Sequence, residues 1–353
     1  MDQSPCFDRV LAALHCGEPD RVPPAEIWID QEVRDAFIGY PVRTMQDEVA
    51  FWRAAGYDFV ALDNDLWATP QIQGNILSPL KDTAHYYADG RENRGWVTEK
   101  ADLIRTWEDV ENFPWPTAAQ LDYSNLEKVQ QYLPPTMKVI ATFGHIFTAT
   151  WQLMGFENFC LLLHDDLDLV RATVRRIGEE VLKQVERILA IDGVGAVCFQ
   201  DDIAYNSGPI ISIRLLKEIF FPWLSEIAAL CHAKGKPLIY HTDGNATALL
   251  PEIIQAGADA FQAIEPKSMD IIAVKQQYGS QLALMGNLDL GYTLTRGSPQ
   301  EVEAAVKHLI KHVAPGGGFL LGSCNSITNY VPVENFRALL RATYEYGRYP
   351  ISL

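Results

Sequence analysis

Three residues that lie far apart in the chain carry side chains that bind transition metals. His241, Glu265 and Cys324 offer an imidazole, a carboxylate and a thiolate. Three protein ligands with one open position are the usual arrangement of a catalytic zinc ion. Asp243 follows His241 by two residues, so in an extended segment it points to the same side and competes with Glu265 as third ligand. The residue types therefore predict a zinc site at His241, Glu265 and Cys324, with the choice between Glu265 and Asp243 open.

Other polar and aromatic residues stand directly after short apolar segments. Asp243, Asp201 and Asp202 are candidates for carrying protons or supporting a metal ligand, and Asn287 is a neutral donor that could orient a substrate. The residues expected to contact a substrate are Trp28, Asp63, Phe143, His145, Trp151, Tyr205 and Asn325, with Trp67 as a further aromatic candidate. Each has a structural alternative, because an aspartate after a strand often caps the next helix and an aromatic ring often packs in the core.

Eight short apolar segments would have to position these residues. Most lack strict alternation of polar and apolar residues, as expected of parallel strands that are buried on both faces. They are 25–29, 58–62, 138–143, 195–199, 237–241, 258–264, 282–286 and 318–321.

Segments with helical periodicity separate these strands, among them 163–192, 213–235, 246–257 and 299–312. The last opens with Ser298 before Pro299, which is typical of a helix start. Strands that alternate with helices along one chain predict an α/β fold, specifically a (β/α)8 TIM barrel. In that fold the residues after each strand converge on one mouth.

The barrel is expected to occupy the whole chain, 1–353, as a single domain. No GxGxxG motif follows an early strand, which argues against a dinucleotide-binding fold. Residues 65–134 are too long for a simple connection between strand and helix. We interpret them as a strand-poor insertion after strand 2, with one helix, that caps the barrel mouth.

Composition limits the possible partners and the compartment. The net charge of -16 opposes binding to phosphate backbones, so no nucleic-acid partner is expected. No apolar run approaches the length of a membrane span, and the N-terminus lacks a signal-peptide pattern. The six cysteines are scattered without CxxC spacing. These features predict a cytoplasmic protein without a membrane partner, and they leave its oligomeric state open.

Several blocks of the chain resemble the uroporphyrinogen-decarboxylase superfamily, from about residue 7 to residue 346. They are RVLAAL at 9–14, PDRVP at 19–23, GKPLIYHTDGN at 235–245, GADAF at 257–261, APGGGFLL at 314–321 and VPVEN at 331–335. The resemblance implies a (β/α)8 barrel, in agreement with the strand count. Decarboxylases of this superfamily carry an Arg-Gln-Ala-Gly-Arg stretch after the first strand, whose arginines hold carboxylates. Here the stretch from Glu26 to Val33 is acidic, which disfavours that activity.

The other branch of the superfamily, the cobalamin-dependent methyltransferases, implies the metal site more directly. These enzymes bind zinc through a His-x-Cys pair after strand five and a Cys after strand eight. His241 and Cys324 match the outer ligands, whereas Asp243 stands in place of the middle Cys. An acid after strand six binds zinc in some of these enzymes, and Glu265 occupies about that place. A carboxylate in place of a thiolate makes the ion a stronger Lewis acid, which suits an oxygen-bound methyl group.

The resemblance thus implies a zinc-dependent methyltransferase. It would move a methyl group between a small methylated substrate and the cobalt of a corrinoid (cobalamin) carried by a partner protein. If the aromatic candidates line the pocket, a flat donor such as a phenyl methyl ether would fit. Two alternatives remain: a metal-free carboxy-lyase like uroporphyrinogen decarboxylase that uses Asp63, and a catalytically lapsed barrel that serves as a binding subunit.

Overall fold

The computed structural model describes residues 4–66, 77–79, 95–97 and 103–353 of the chain. Its strands, in chain order, are β1 (Phe59–Asp63), β2 (Leu77–Pro79), β3 (Gly95–Val97), β4 (Lys138–Gly144), β5 (Val194–Gln200), β6 (Ala204–Tyr205), β7 (Gly208–Pro209), β8 (Leu238–His241), β9 (Ala260–Gln262), β10 (Ala283–Leu288) and β11 (Phe319–Ser323). Strands β6 and β7 form a small antiparallel pair beside the barrel strands.

The α-helices of the described residues alternate with these strands. They are α1 (Phe7–Leu14), α2 (Gln31–Ile38), α3 (Met45–Ala54), α4 (Trp107–Asn112), α5 (Ser124–Lys128), α6 (Phe147–Met154), α7 (Phe156–Asp165), α8 (Leu167–Leu189), α9 (Ile213–Ile219), α10 (Phe221–Ala233), α11 (Leu250–Gln255), α12 (Ile271–Tyr278), α13 (Thr293–Arg296), α14 (Pro299–Val313) and α15 (Val333–Tyr346). None of the helices in the described part of the chain is long and apolar enough to cross a membrane.

Seven of the strands form one parallel sheet in the order β1-β4-β5-β8-β9-β10-β11. Each neighbouring pair is parallel, and the strand order follows the chain, as in a barrel. The prediction of an α/β, TIM-barrel-like fold is therefore confirmed, and all the carboxyl ends of these strands lie on one side.

The first predicted strand, 25–29, does not form a ladder, which corrects the count of eight strands. Isolated parallel bridges join Pro24 to Leu321 and Ile29 to Ile327, which place this segment beside β11. The contact is very close: a Cβ on Gly322 would lie 1.8 Å from the carbonyl oxygen of Ala25. Only glycine fits there, because the obstructing atom belongs to the backbone.

A row of aromatic rings covers the helix-facing side of the sheet. Phe143, Phe199, Tyr240 and Phe261 are register neighbours on adjacent strands. Phe199 and Tyr240 pack against Phe220, which lies between α9 and α10. Neighbouring residues of a strand point to opposite faces. The residues that follow these rings, including His241 and Gln262, therefore point into the barrel.

Two predicted helices are each split in the structure. Segment 163–192 divides at Asp166, whose side chain accepts a hydrogen bond from Leu169 N at 3.1 Å and begins α8. Segment 213–235 divides at Phe220. Pro222 in the first turn of α10 has no N–H, so it cannot extend the hydrogen bonds of α9. Segment 299–312 is confirmed as α14, with Ser298 and Glu301 forming a capping box.

The insertion 65–134 is more regular than the expected single helix in a strand-poor segment. Strands β2 and β3 pair antiparallel, and α4 and α5 follow. The amide of Ala118 donates to Glu180 of α8 at 2.9 Å, so the described second half lies against that helix. Residues 67–76, 80–94 and 98–102, and with them Trp67 and the predicted cap over the mouth, lie outside the described residues.

Candidate functional site

Three donor groups meet at the carboxyl ends of β5 and β8. One ligand atom each from Asp202, His241 and Asp243 can be chosen so that all lie within 4.8 Å of one another. His241 is the last residue of β8, and Asp202 comes two residues after the end of β5. Because these strands are neighbours in the sheet, their parallel pairing brings the two segments together at the mouth.

The imidazole of His241 is held in one orientation. Its Nδ1 is hydrogen-bonded to Oε1 of Gln262 on the next strand, β9, and the Nε2 of Gln262 donates to the carbonyl of Asn325 at 3.1 Å. An amide oxygen can only accept, so Nδ1 carries a proton, and in the neutral imidazole the lone pair is on Nε2. This is the support that a metal-binding histidine normally has.

The Nε2 atom of His241 lies 3.5 Å from Oδ1 of Asp243. The same carboxylate oxygen accepts a hydrogen bond from Nδ2 of Asn325 at 2.8 Å. Burial raises the pKa of Asp243 to about 6, an effect that the nearby His241 opposes and the charges of Asp202 and Glu265 reinforce. Several acidic groups thus crowd one imidazole, a grouping that a divalent cation would neutralise.

The donor set and the distance between His241 and Asp243 fit a zinc ion. Bonds of 2.0–2.2 Å from nitrogen and oxygen ligands to one tetrahedral ion place two ligand atoms roughly 3.3–3.6 Å apart. The 3.5 Å between His241 Nε2 and Asp243 Oδ1 agrees with this value. Oδ1 of Asp202 accepts a hydrogen bond from the backbone amide of Asp243 at 2.7 Å. The second carboxylate oxygen of Asp202 can then bind an ion.

Asp201, although adjacent to Asp202, has a different environment. It is fully buried, and its carboxylate accepts the backbone amides of Ile146, Phe147 and Thr148 at 2.7–2.8 Å. These amides belong to the first turn of α6, so the side chain caps that helix. Burial raises the pKa of Asp201. The structure therefore gives Asp201 the structural role that the sequence left as an alternative to catalysis.

Glu265 and Cys324 lie close to this cluster but are not part of the three-donor group within 4.8 Å. Glu265 accepts a hydrogen bond from the amide of Gly244 at 3.1 Å, and its charge affects the pKa values of both Asp243 and Cys324. Cys324 is 5% exposed, and burial raises the pKa of its thiol to about 12. Of the predicted trio of ligands, the structure thus places His241 within the geometric group.

A second ionisable cluster lies at the ends of β1 and β4. Nδ1 of His145 is 2.9 Å from Oδ2 of Asp65. Burial by itself would lower the pKa of His145. The carboxylate of Asp65, together with the charges of Asp201 and Asp202, outweighs burial and raises the pKa to about 9. Asp63 accepts a hydrogen bond from Thr142 at 3.1 Å. Burial and the neighbouring Asp65 raise the pKa of Asp63 to about 7.

The remaining predicted contacts of the substrate divide into rim and core residues. Trp28 is 47% exposed and Tyr205 51% exposed, so both offer ring surface to solvent. Trp151 packs edge-on against Phe156, which packs in the same way against Tyr205. The indole N–H of Trp151 is buried without a hydrogen-bond partner among the described residues.

Phe143 and Asn287 are enclosed by protein. Phe143 belongs to the helix-facing aromatic row and is 1% exposed, so the structure places it away from the mouth. Asn287 is buried in β10 and donates to the carbonyl of Ile264. Because that contact links two neighbouring strand segments, Asn287 supports the position of Glu265, the residue after Ile264.

Sequence reasoning missed Gln262 and assigned no role to Asp65. Gln262 is a polar residue within an otherwise apolar strand, and this pattern was the available signal. Its partnership with His241 depends on the register of β8 and β9. Ala263 directly after it has a positive φ of 71°, and such backbone strain is concentrated at functional sites.

A cavity of about 270 Å³ opens beside the first strand segment and β1. Arg34, Arg43 and Asp63 line it, so basic residues do stand near strand one. Arg34, however, is paired with Glu48, and Nη1 of Arg43 lies 3.8 Å from Oδ2 of Asp35. These carboxylates already neutralise the arginines, which limits their capacity to hold a substrate with many carboxylates.

Curated relatives include methyltransferases and decarboxylases. The chain is 26% identical over 202 residues to a methylated-thiol–coenzyme M methyltransferase of Methanosarcina mazei. This match covers 56% of this chain and 51% of that protein. It is 22% identical over 218 residues to the methylcobamide:CoM methyltransferase MtaA of Methanosarcina barkeri, covering 62% of this chain and 61% of that protein. The matched part therefore spans about half to three fifths of these two methyltransferases. Uroporphyrinogen decarboxylases are also among the relatives.

A solved structure and a family model cover more of the chain. The structure of a methyltransferase from Methanosarcina mazei shares the fold, with a TM-score of 0.72 at 18% identity, and the match covers 96% of this chain and 98% of that chain. The family model described as uroporphyrinogen decarboxylase (URO-D) matches residues 93–346. Because this match includes well over half of the chain, the protein belongs to the uroporphyrinogen decarboxylase family.

Proposed function

We propose that this protein is a methyltransferase that moves a methyl group between a small methylated substrate and a corrinoid carried by a partner protein, with zinc held at His241. The observation that carries this proposal is the position of His241 Nε2, 3.5 Å from a carboxylate oxygen of Asp243 at the barrel mouth. The relatives that act on methylated thiols and methylcobamide support the type of reaction.

We assign the ion to His241, Asp243 and Asp202, since these donors already lie within 4.8 Å of one another. The set His241, Glu265 and Cys324 remains the competing assignment from the sequence. Zinc at this position would act as a Lewis acid on the heteroatom that bears the methyl group. Gln262 keeps the lone pair of His241 directed at the site, and Asn325 holds the carboxylate of Asp243.

The mouth offers surfaces for a flat methyl donor such as a phenyl methyl ether. Trp151 and Tyr205 both pack edge-on against Phe156, and their rings are candidates to stack on the donor. The cap that Asp201 forms fixes α6, which carries Trp151. The residues of this chain would thus bind and orient the donor for methyl exchange with a corrinoid carried by the partner.

Zinc content is the decisive measurement. The protein is loaded with zinc, freed of excess metal and measured by elemental mass spectrometry. Wild type is expected to hold about one zinc per chain. His241→Ala is expected to lose it. Gln262→Ala lowers the affinity roughly 10- to 100-fold, because the histidine loses its supporting hydrogen bond. His232→Ala, on α10 at the opposite end of the barrel, is the matched control and keeps the ion.

Single substitutions distinguish the two ligand sets. Asp202→Asn and Asp243→Asn are expected to weaken zinc binding, whereas Cys324→Ala retains it. The reverse pattern would establish the set with Glu265 and Cys324 instead. A wild type that binds no zinc contradicts the metal site.

Methyl transfer from a phenyl methyl ether to reduced cobalamin, followed by absorbance, tests the reaction itself. Activity that persists in strong chelators would exclude the metal from it.

A further inference from the structure

The pair of His145 and Asp65 lies at the same mouth as the metal cluster but has no part in it. Strands β1 and β4 are neighbours in the sheet, so their carboxyl ends bring the two residues together. The imidazole is 29% exposed, whereas the carboxylate is only 11% exposed. The pair therefore shields its carboxylate and leaves part of the imidazole accessible.

This contact determines which ring nitrogen can act. Nδ1 faces the Asp65 carboxylate at 2.9 Å, and a carboxylate only accepts hydrogen bonds, so Nδ1 carries a proton. The second nitrogen, Nε2, is then the atom that can exchange a proton with a bound molecule. A buried acidic partner that orients a histidine in this way is the usual arrangement for acid–base catalysis.

The groups around His145 favour its cationic form. Asp63 and Asp65 face it from the end of β1, and Asp201 and Asp202 face it from the segment after β5. Burial lowers the pKa of His145, but Asp65, with the charges of Asp201 and Asp202, outweighs it and raises the pKa to about 9. Asp202 is also a member of the metal cluster. Because β4 and β5 are neighbours whose last residues pair in register, His145 and Asp202 follow the same ends of adjacent strands.

We propose that His145 is the general acid that protonates the leaving heteroatom when the methyl group departs, and that Asp65 is its positioning residue. This inference rests on the proposed function and adds its acid. The bond between the methyl carbon and the heteroatom breaks, and its electron pair stays on the heteroatom. That atom takes the Nε2 proton. The methyl carbon bonds to the reduced corrinoid through an electron pair of its cobalt, and solvent returns a proton to His145.

A general acid contributes most when the leaving group is a poor one. Phenolate, the leaving group of anisole, is a stronger base than 4-nitrophenolate, the leaving group of 4-nitroanisole, because the nitro group delocalises the charge. Loss of the acid should therefore slow the demethylation of anisole far more than that of 4-nitroanisole. A residue that only supports the fold would slow both reactions by the same factor.

The test measures methylation of reduced free cobalamin by anisole and by 4-nitroanisole with zinc-loaded protein. His145→Gln is expected to slow the anisole reaction roughly 100-fold, within the usual contribution of general acid catalysis, and the 4-nitroanisole reaction less than about tenfold. Asp65→Asn shows the same selectivity to a smaller extent. The matched control is His232→Gln, which removes a His–Asp contact of the same 2.9 Å length to Asp259, at the amino ends of β8 and β9. It leaves both rates unchanged.

The outcomes separate this inference from the proposed function. Equal losses for the two ethers in His145→Gln, with zinc content and unfolding temperature retained, overturn the acid role while the methyltransferase stands. A wild type that demethylates neither ether contradicts a phenyl methyl ether as the donor of the proposed function, and the acid role falls with it. A selective loss for anisole supports both.

Discussion

Glu26 is a carboxyl group buried completely inside the protein. Its two oxygens contact the amide and the hydroxyl of Ser323 at 2.6 Å each, which joins the first strand segment to β11. Burial raises the pKa of Glu26 to about 8, although the hydrogen bonds from Ser323 oppose this. At neutral pH the folded protein thus holds Glu26 as a neutral acid, while the unfolded chain ionises it near its ordinary value of 4.5.

This difference predicts a pH dependence of stability. The folded state binds one more proton than the unfolded state between the two pKa values. The stability that Glu26 contributes is therefore complete below about pH 4.5 and is lost as the pH rises towards 8. Glu26→Gln removes the titration and keeps the size of the side chain. The unfolding temperature of the variant minus that of wild type should therefore be larger at pH 8 than at pH 5, by at least roughly 2–4 °C.

The comparison of Glu26→Gln with wild type removes the effect of the other titrating groups, because they are common to both proteins. Glu179→Gln, at an exposed position of α8, controls for the loss of a carboxylate. A difference in unfolding temperature between Glu26→Gln and wild type that stays constant from pH 5 to pH 8 would show that Glu26 does not titrate as the structure indicates.

At the scale of elements, the mouth depends on how one helix is attached to the barrel. Asp201 binds the three first amides of the α6 turn, and the hydroxyl of Tyr240 donates to the carbonyl of Asp201 at 2.7 Å. Asp201 therefore connects the first turn of α6 to the ends of β5 and β8. The next residue, Asp202, points its carboxylate to the cluster with His241. Two adjacent aspartates therefore differ in position: Asp201 holds a helix, and Asp202 belongs to the proposed metal cluster.

Exchange of each aspartate for asparagine should separate these tasks. Asparagine has one acceptor oxygen, so Asp201→Asn leaves part of the buried α6 turn unsatisfied and costs about 1–3 kcal/mol of the free energy of unfolding. Asp202→Asn should leave the unfolding temperature nearly unchanged and weaken zinc binding at least about tenfold. Thermal unfolding and zinc competition measure the two effects, and each variant controls the other. Equal effects on both properties would contradict this division.

At the scale of the whole molecule, charge distinguishes the activities found in the family. The net charge of -16 repels polyanions, and the arginines near the first strand segment, Arg34 and Arg43, already face carboxylates. A methyl ether or thioether carries no such charge. The electrostatics of the molecule therefore favour a neutral methyl donor over a porphyrinogen with many carboxylates.

Uroporphyrin provides a direct test, since its eight carboxylates are those of the decarboxylase substrate. No saturable binding to this protein is expected at physiological ionic strength, measured by quenching of tryptophan fluorescence. A uroporphyrinogen decarboxylase examined in parallel serves as the positive control. Saturable binding that weakens with added salt would instead favour the carboxy-lyase alternative.

The sequence predicted the architecture because hydrophobic periodicity reflects burial directly. Parallel strands buried on both faces are apolar throughout, and the pattern located the seven strands of the sheet. It failed at segment 25–29, whose composition is that of a strand but whose contact with β11 consists of isolated bridges. It also joined α9 to α10, because apolar periodicity continues through the point where Pro222 interrupts the hydrogen bonds.

The sequence by itself also determined that the reactive side chains stand at or just after the ends of the strands, His241 among them, since residue types and order are local properties. Only the tertiary structure decided which of them meet. The partners of His241 are Gln262, 21 residues away in the chain, and Asp202, on a neighbouring strand segment. Asp65 lies opposite His145 because β1 pairs with β4. Strand register and helix capping set these distances, and neither is encoded in the spacing of single residues.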